Sequence, residues 1–229
     1  MRILIRTIAL SFFVFGIASC IQEREHPGDI RMLPKYGGVQ KSKEQLAADQ
    51  DFLDTILSDD KYRNNNRLAS DELIKLGFDY LNQEDVKTAM YRFNQAYLID
   101  STNTDIYWGF GAVYMKRSMF DKAKEQYEIG LKENPKNTHL LTDLGSYYMV
   151  RFQQGDGGTT RDLDQALRLL EESYEIDDKD RNTLIKLSMT HLLNNNCKSA
   201  WKYYRECEAL GGLPMIKEYI AHLQSICTE

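Results

Sequence analysis

Residues 73–80 read LIKLGFDY, residues 107–114 read YWGFGAVY, and residues 141–148 read LTDLGSYY. The three stretches lie in register at an interval of 34 residues. Leu73, Tyr107 and Leu141 correspond, as do Leu76, Phe110 and Leu144. Gly77, Gly111 and Gly145 keep the interval, and so do Tyr80, Tyr114 and Tyr148. Glycine and tyrosine each make up 14 of the 229 residues, so two in-register triplets of such residues are hard to obtain by chance. A period of this length marks stacked helical units rather than one folded core. Leu76 and Tyr80, four apart, share a helical face. The glycine between them removes a side chain where neighbouring helices approach closely.

The following residues agree. Ala89 and Ala123, Phe93 and Tyr127, and Ala96 and Gly130 are again 34 apart. Ser118-Met119-Phe120-Asp121 has the form of a capping box opening the second helix of its unit. Pro135 ends that helix, because proline cannot continue one. This pattern resembles the tetratricopeptide repeat, in which W-x2-L-G-x2-Y is followed by A-x3-F and then by a small residue and proline. The resemblance implies an all-α, right-handed solenoid of about four helix hairpins, stacked into one continuous hydrophobic spine. Its units are 70–103, 104–137, 138–180 and 181–212. The third carries nine extra residues within QQGDGGTTRD, predicting a loop insertion at about 152–165. The fourth has Ser188 for the glycine and His191 for the tyrosine. A capping helix at 214–227 closes the solenoid at 70–227.

Upstream, KSKEQLAADQDFLDTILS at 41–58 places Leu46, Phe52, Leu53, Ile56 and Leu57 near one helical face, with Ser42 and Gln45 as a capping box. Residues 41–66 are read as this helix and its connector. The helix either caps the first repeat or lies in the solenoid groove. Residues 20–40 hold two of the four prolines and three glycines without periodicity, and read as a flexible tether spanning roughly 25 Å. Residues 1–19 combine Arg2 and Arg6 with an apolar run from Ile8 to Ile17. The run is far shorter than the ~20 residues of a membrane span, so a cleaved signal peptide is favoured. Ile17-Ala18-Ser19-Cys20 resembles the lipobox of bacterial lipoproteins, which implies that Cys20 becomes the lipidated first residue. Two or more acyl chains hold a protein firmly at a membrane.

Hydrophobic residues make up 42% of the chain, enough for a sizeable core. Cleavage removes two of the 29 bases and none of the 34 acids, leaving a net charge of −7. Nucleic-acid binding, which needs basic stripes, is therefore not expected. Nor is the sequence that of an enzyme. It contains no phosphate-binding loop, dinucleotide fingerprint, H-E-x-x-H, G-x-S-x-G or C-x-x-C. His139 and Asp143, one helical turn apart, are too few for a zinc site. Asp156, Asp162 and Asp164 lack the spacing of a calcium loop. No cofactor or metal is implied, and a catalytic site in 152–165 has no nucleophile–base pair to support it.

The tetratricopeptide resemblance places a partner-binding groove on the first helix of each hairpin. Carried onto this chain, its positions are Ile74, Phe78 and Leu81, then Trp108, Ala112 and Met115. Thr142, Ser146 and Met149 follow, and Ile185, Met189 and Leu192 are last. Asn82, Lys116 and His139 lie further out. Ile74 and Phe78 stand where the chaperone-tail clamps of the family need Lys and Asn, so that activity is not implied. Trp108, Phe78 and the methionines suit an apolar or helical peptide, unless helix 41–58 covers them.

Cys197 and Cys207 lie ten apart on one helix, about 15 Å by rise, too far for a disulfide. Cys197 opens one helix and Cys227 closes the next, antiparallel one. Those ends should meet, giving a Cys197–Cys227 bridge worth about 3 kcal/mol, with Cys207 a buried thiol. The combined expectation is a lipid-anchored adaptor that binds a protein or peptide partner in the cell envelope. The expected site is the outer membrane facing the periplasm, or the cell surface. The alternative is a subunit of an envelope machine, as in outer-membrane barrel assembly or type IV pilus biogenesis.

Overall fold

A computed structural model describes residues 29–154, 158–213 and 216–228. The signal segment 1–19, Cys20, Asp156 and Pro214 lie outside the described residues. Among those described there is no β-strand, and ten α-helices follow in order: α1 (Lys43–Leu57), α2 (Asn66–Asn82), α3 (Val86–Ile99), α4 (Asp105–Lys116), α5 (Phe120–Glu133), α6 (Thr138–Gln153), α7 (Thr160–Ile176), α8 (Arg181–Leu193), α9 (Cys197–Ala209) and α10 (Ile216–Ile226). Helices α2 to α9 form four antiparallel hairpins. Each hairpin packs on the next, and α2, α4, α6 and α8 also touch in sequence along one side.

The interval of 34 is visible as packing. The Phe93 ring is wedged between Gly77 and Gly109, and the Tyr127 ring lies against Gly111. Both rings are fully buried. Each is worth roughly 1.5–3 kcal/mol of transfer free energy. A polar ladder repeats with the same step. The Asn103 side-chain amide donates to Ser70 Oγ (3.0 Å) and to Asp71 Oδ1 (2.7 Å). Asn137 donates likewise to Thr104 Oγ1 (3.1 Å) and Asp105 Oδ1 (2.6 Å).

The hairpin turns explain one departure from expectation. Glu84, Ser118 and Asn195, each eleven residues after the leading residue of its unit, have φ of +65°, +57° and +55°. The next residue donates its N–H five positions back: Asp85 to Tyr80, Met119 to Tyr114, Asn196 to His191. This closes the first helix in a Schellman-type turn. Ser118 is thus the left-handed turn residue and not the N-cap. Helix α5 opens after Met119 with no side-chain cap. The capping box at Ser42 and Gln45 does form.

Three further departures concern extent. The insertion is shorter than 152–165, because α6 runs on to Gln153 and α7 begins at Thr160, where the Thr159 N–H donates to Asp162. The extra residues mostly lengthen helices: α7 has 17 residues where α3 and α5 have 14. The hydrophobic spine is also divided. One core cluster ends at Leu169 and a second begins at Leu170. At the joint the hydroxyls of Thr142, Ser173 and Thr183 bond to one another, 2.6–3.2 Å apart. Stacking continues there through satisfied polar groups, whose pairing avoids the cost of burying them alone.

The third departure is the tether. Residues 29–38 are not a free coil but an arm laid along α3. The buried Asn94 amide donates to the carbonyls of Arg31 (2.8 Å) and Leu33 (2.9 Å) and accepts from the Tyr36 N–H (3.3 Å). The Tyr91 hydroxyl donates to Asp29, and Lys35 donates to the Tyr107 hydroxyl while facing the Tyr97 ring. Lys35, Tyr36 and Gly37 are left-handed, with φ of 53°, 57° and 70°. That costs about 1–2 kcal/mol for each non-glycine residue, which these bonds offset. Asn94 addresses backbone carbonyls, so the arm's own side-chain pattern does not advertise the docking.

Helix α1 caps the solenoid. Phe52 and Ile56 share a cavity wall with Leu73, Leu76 and Arg92 at the α2–α3 end. At the other end, α10 buries Leu223, and its Tyr219 hydroxyl bonds Ser188 (2.6 Å). Cys197 and Cys227 are joined, with Cα atoms 5.4 Å apart. Cys207 is a buried free thiol whose pKa burial raises.

Candidate partner-binding groove

Helices α2, α4, α6 and α8 carry every groove position read from the sequence, but the positions differ in what they do. Ile74, Leu81, Thr142 and Ile185 are buried. Thr142 belongs to the hydroxyl joint, and Ile185 to the second core cluster. Phe78, Trp108, Met115, Met149 and Met189 are half-buried, and Asn82, Lys116 and His139 are exposed. Lys116 pairs with Glu84 (2.9 Å). Helix α1 lies at the solenoid's end and contributes nothing to the lining of the cavity between α2 and α4.

Trp108 is not an open platform. Phe78 lies against one side of the indole (centroids 3.9 Å) and His139 stacks on it at 4.2 Å. The indole N–H donates to Asp143 Oδ2 (2.8 Å). The row Phe78–Trp108–His139 therefore braces three successive first helices, with Phe78 and Trp108 half-buried and His139 exposed. Asp143 also accepts from Lys186 (2.9 Å), which reaches Ser146 Oγ (2.6 Å). His139 and Asp143 thus turn to different partners, since His139 Nδ1 pairs with Asp105 Oδ1 (3.4 Å).

The charges around this row matter. Burial alone would raise the Asp105 pKa, but hydrogen bonds with His139 and Asn137 outweigh it and hold the carboxyl below its usual range. The same bond raises the His139 pKa against burial. A cavity of about 280 Å³ between α2 and α4 has Ile74, Phe78 and Trp108 as its apolar lining. Asp71, Asp79, Asp105 and Lys75 complete it. These polar residues were missed in the sequence, although Asp71, Asp105 and His139 are 34 apart and that recurrence could have flagged them. A wider cavity of about 510 Å³ lies under α1, between the arm and α3.

No family model matches the chain. A curated relative, the RNA polymerase-associated protein CTR9 of Caenorhabditis elegans, is 26% identical over 136 residues, 56% of this chain. The chain spans 11% of that protein's length. Among solved structures, a thermophilic TPR protein of Thermus thermophilus matches with a TM-score of 0.60 at 16% identity, over 68% of this chain and 81% of that one. PilF of Pseudomonas aeruginosa matches at 0.56 and 19%, over 70% and 69%. Human IFIT1, solved as a dimer with PPP-AAAA, matches at 0.52 and 14%, over 66% and 35%. These likenesses bear on fold: the protein is an α-solenoid of the tetratricopeptide type.

Proposed function

We propose that this protein is an adaptor, held at a bacterial envelope membrane by lipid on Cys20, that takes a protein partner into the concave side of its solenoid. The observation that carries the reading is the half-buried state of Met115, Met149 and Met189 on the inner helices, together with Phe78 in a cavity whose lining includes no residue of α1. Adaptable side chains of this kind suit an apolar peptide. The order Ile17-Ala18-Ser19-Cys20 supports the anchor, and the Cys197–Cys227 bond suits an oxidising compartment. That compartment is the periplasmic side of an outer membrane, or the cell surface. Carboxylates at 71, 79 and 105 disfavour a nucleic-acid ligand in the groove. Because the arm docks from residue 29 onward, the chain between Cys20 and the docked arm can reach at most about 30 Å.

Two experiments test it. Cys20→Ala should move the protein from the membrane to the soluble fraction, and retention in the membrane would refute the anchor. Envelope proteins captured by the wild-type chain should be lost with Met115→Glu and Met189→Glu, while the melting temperature stays close to wild type. Unchanged capture by these variants would refute the groove.

A further inference from the structure

Resting on the groove reading, we infer that the cavity between α2 and α4 is a subsite for a cationic side chain, lysine or arginine, of the bound peptide. The cavity has an apolar floor of Ile74, Phe78 and Trp108, with carboxylates around it. Its volume of about 280 Å³ suits one long side chain and not a helix. An aliphatic stem lies over such a floor while the charged head stays at the polar rim.

The carboxylates are placed to receive that head. Asp71 and Asp105 use Oδ1 to accept from Asn103 and Asn137, so the solenoid itself holds them in position and leaves Oδ2 as an acceptor. Asp79 is exposed on the same rim. Three carboxylates thus line the cavity with one ammonium, that of Lys75, while the His139 imidazole beside it pairs with Asp105 through Oδ1. The other lysines and arginines of the inner helices are engaged elsewhere: Arg67 with Asp100, Lys116 with Glu84, Arg151 with Asp162, Lys186 with Asp143, and Arg181 with the Gly212 carbonyl. An anionic or purely apolar side chain would leave these carboxylates uncompensated or partly desolvated. A guanidinium or ammonium gains charge-assisted hydrogen bonds to groups held in place beforehand.

The test uses the full chain and three fluorescein-labelled twelve-residue peptides, followed by fluorescence anisotropy. One is built of leucine and arginine, one has norleucine in place of arginine, and one has glutamate there. The arginine peptide should bind about tenfold more tightly than the norleucine peptide. The advantage should shrink in Asp79→Asn/Asp105→Asn and on raising the salt from about 50 to 300 mM. If that double variant melts early, Asp79→Asn alone, at a residue outside the asparagine ladder, serves in its place. Equal binding of arginine and norleucine peptides, both abolished by Met115→Glu, would overturn the cationic subsite and leave the groove standing. Tighter binding of the glutamate peptide, or an arginine advantage indifferent to the Asp substitutions, would also overturn it. Binding of all three peptides that ignores Met115→Glu would overturn the subsite and the groove together.

Discussion

Replacing Gly111 by alanine separates two opposite expectations. In an isolated helix the change is favourable by about 1 kcal/mol, because glycine is the poorer helix former. In the solenoid the added Cβ would lie 2.0 Å from Tyr127 Cε1 and 2.6 Å from both Cδ1 and Cζ. Carbon atoms in good contact sit about 3.5–4.0 Å apart. The ring would have to retreat by about 1.5 Å, and Tyr127 has no exposed surface to retreat into. Overpacking of this kind costs about 1–3 kcal/mol, and a clash with three ring atoms belongs at the upper end. The net expectation is a loss of about 2 kcal/mol, a fall in melting temperature of about 4–8 °C for a domain of this size. Gly145→Ala is the control. Its Cβ meets Leu170 Cγ at 2.8 Å and Cδ2 at 3.1 Å. Leu170 is as fully buried as Tyr127, but the overlap is smaller by about 0.8 Å, so the loss should be smaller than for Gly111→Ala. Urea and thermal melts followed by far-UV circular dichroism decide. A Gly111→Ala protein as stable as wild type would refute the claim that ring-on-glycine contacts set the helix spacing.

Three other outcomes are expected. Asn94→Ala strands the carbonyls of Arg31 and Leu33, so residues 29–38 should become susceptible to limited proteolysis and exchange amide hydrogens faster, with about 1–3 kcal/mol lost from stability; unchanged exchange would mean that Asn94 does not hold the arm. Reducing the Cys197–Cys227 bond, which closes a loop of sequence separation 30, should lower stability by about 3–4 kcal/mol; mass spectrometry of the unreduced protein finding three free thiols among 197, 207 and 227 would contradict the pairing. Proton titration by NMR should place His139 above and His191 below the free-histidine value of about 6.5. Asp105 raises the first, while burial and then Lys202 lower the second. Stability from His139 is then fully present below about pH 6.5 and lost as pH rises through its raised value. Stability from His191 is present above that pH and lost as pH falls through its lowered value. Coincident titrations would show the two environments to be misread.

The repeat was legible because it is written in sterics. A glycine at 77 or 111 and a ring at 93 or 127 each have one workable place, and a fixed interval keeps every such pair in register. Polar chemistry is less demanding of residue type, which is why the joint between the third and fourth hairpins escaped notice. Thr142 there faces Ser173 and Thr183 at a position that the repeat pattern assigns to the groove. Ser118 shows the same ambiguity at short range. The sequence S-x-x-D serves equally as a cap or as a turn followed by a helix, and only the reversal of the chain at that position decides for the left-handed turn.

The inner face of the solenoid was legible as a set of helices and less so as a surface. Counting along a helix identifies which residues point inward, but not which of them are consumed by one another. Trp108 has the composition of a binding platform, yet Phe78, His139 and Asp143 engage both its faces and its N–H. Its role becomes that of a brace that keeps three first helices at constant spacing. Rigidity of this kind has a consequence for recognition: a partner meets carboxylates at 71 and 105 already fixed by the asparagine ladder and does not have to order them. In the proposed cationic subsite, selectivity for charge depends on the same bonds that stack the hairpins. A substitution such as Asn103→Leu should therefore weaken stacking and relax the preference for a cationic peptide together, whereas Asp79→Asn should affect the preference alone.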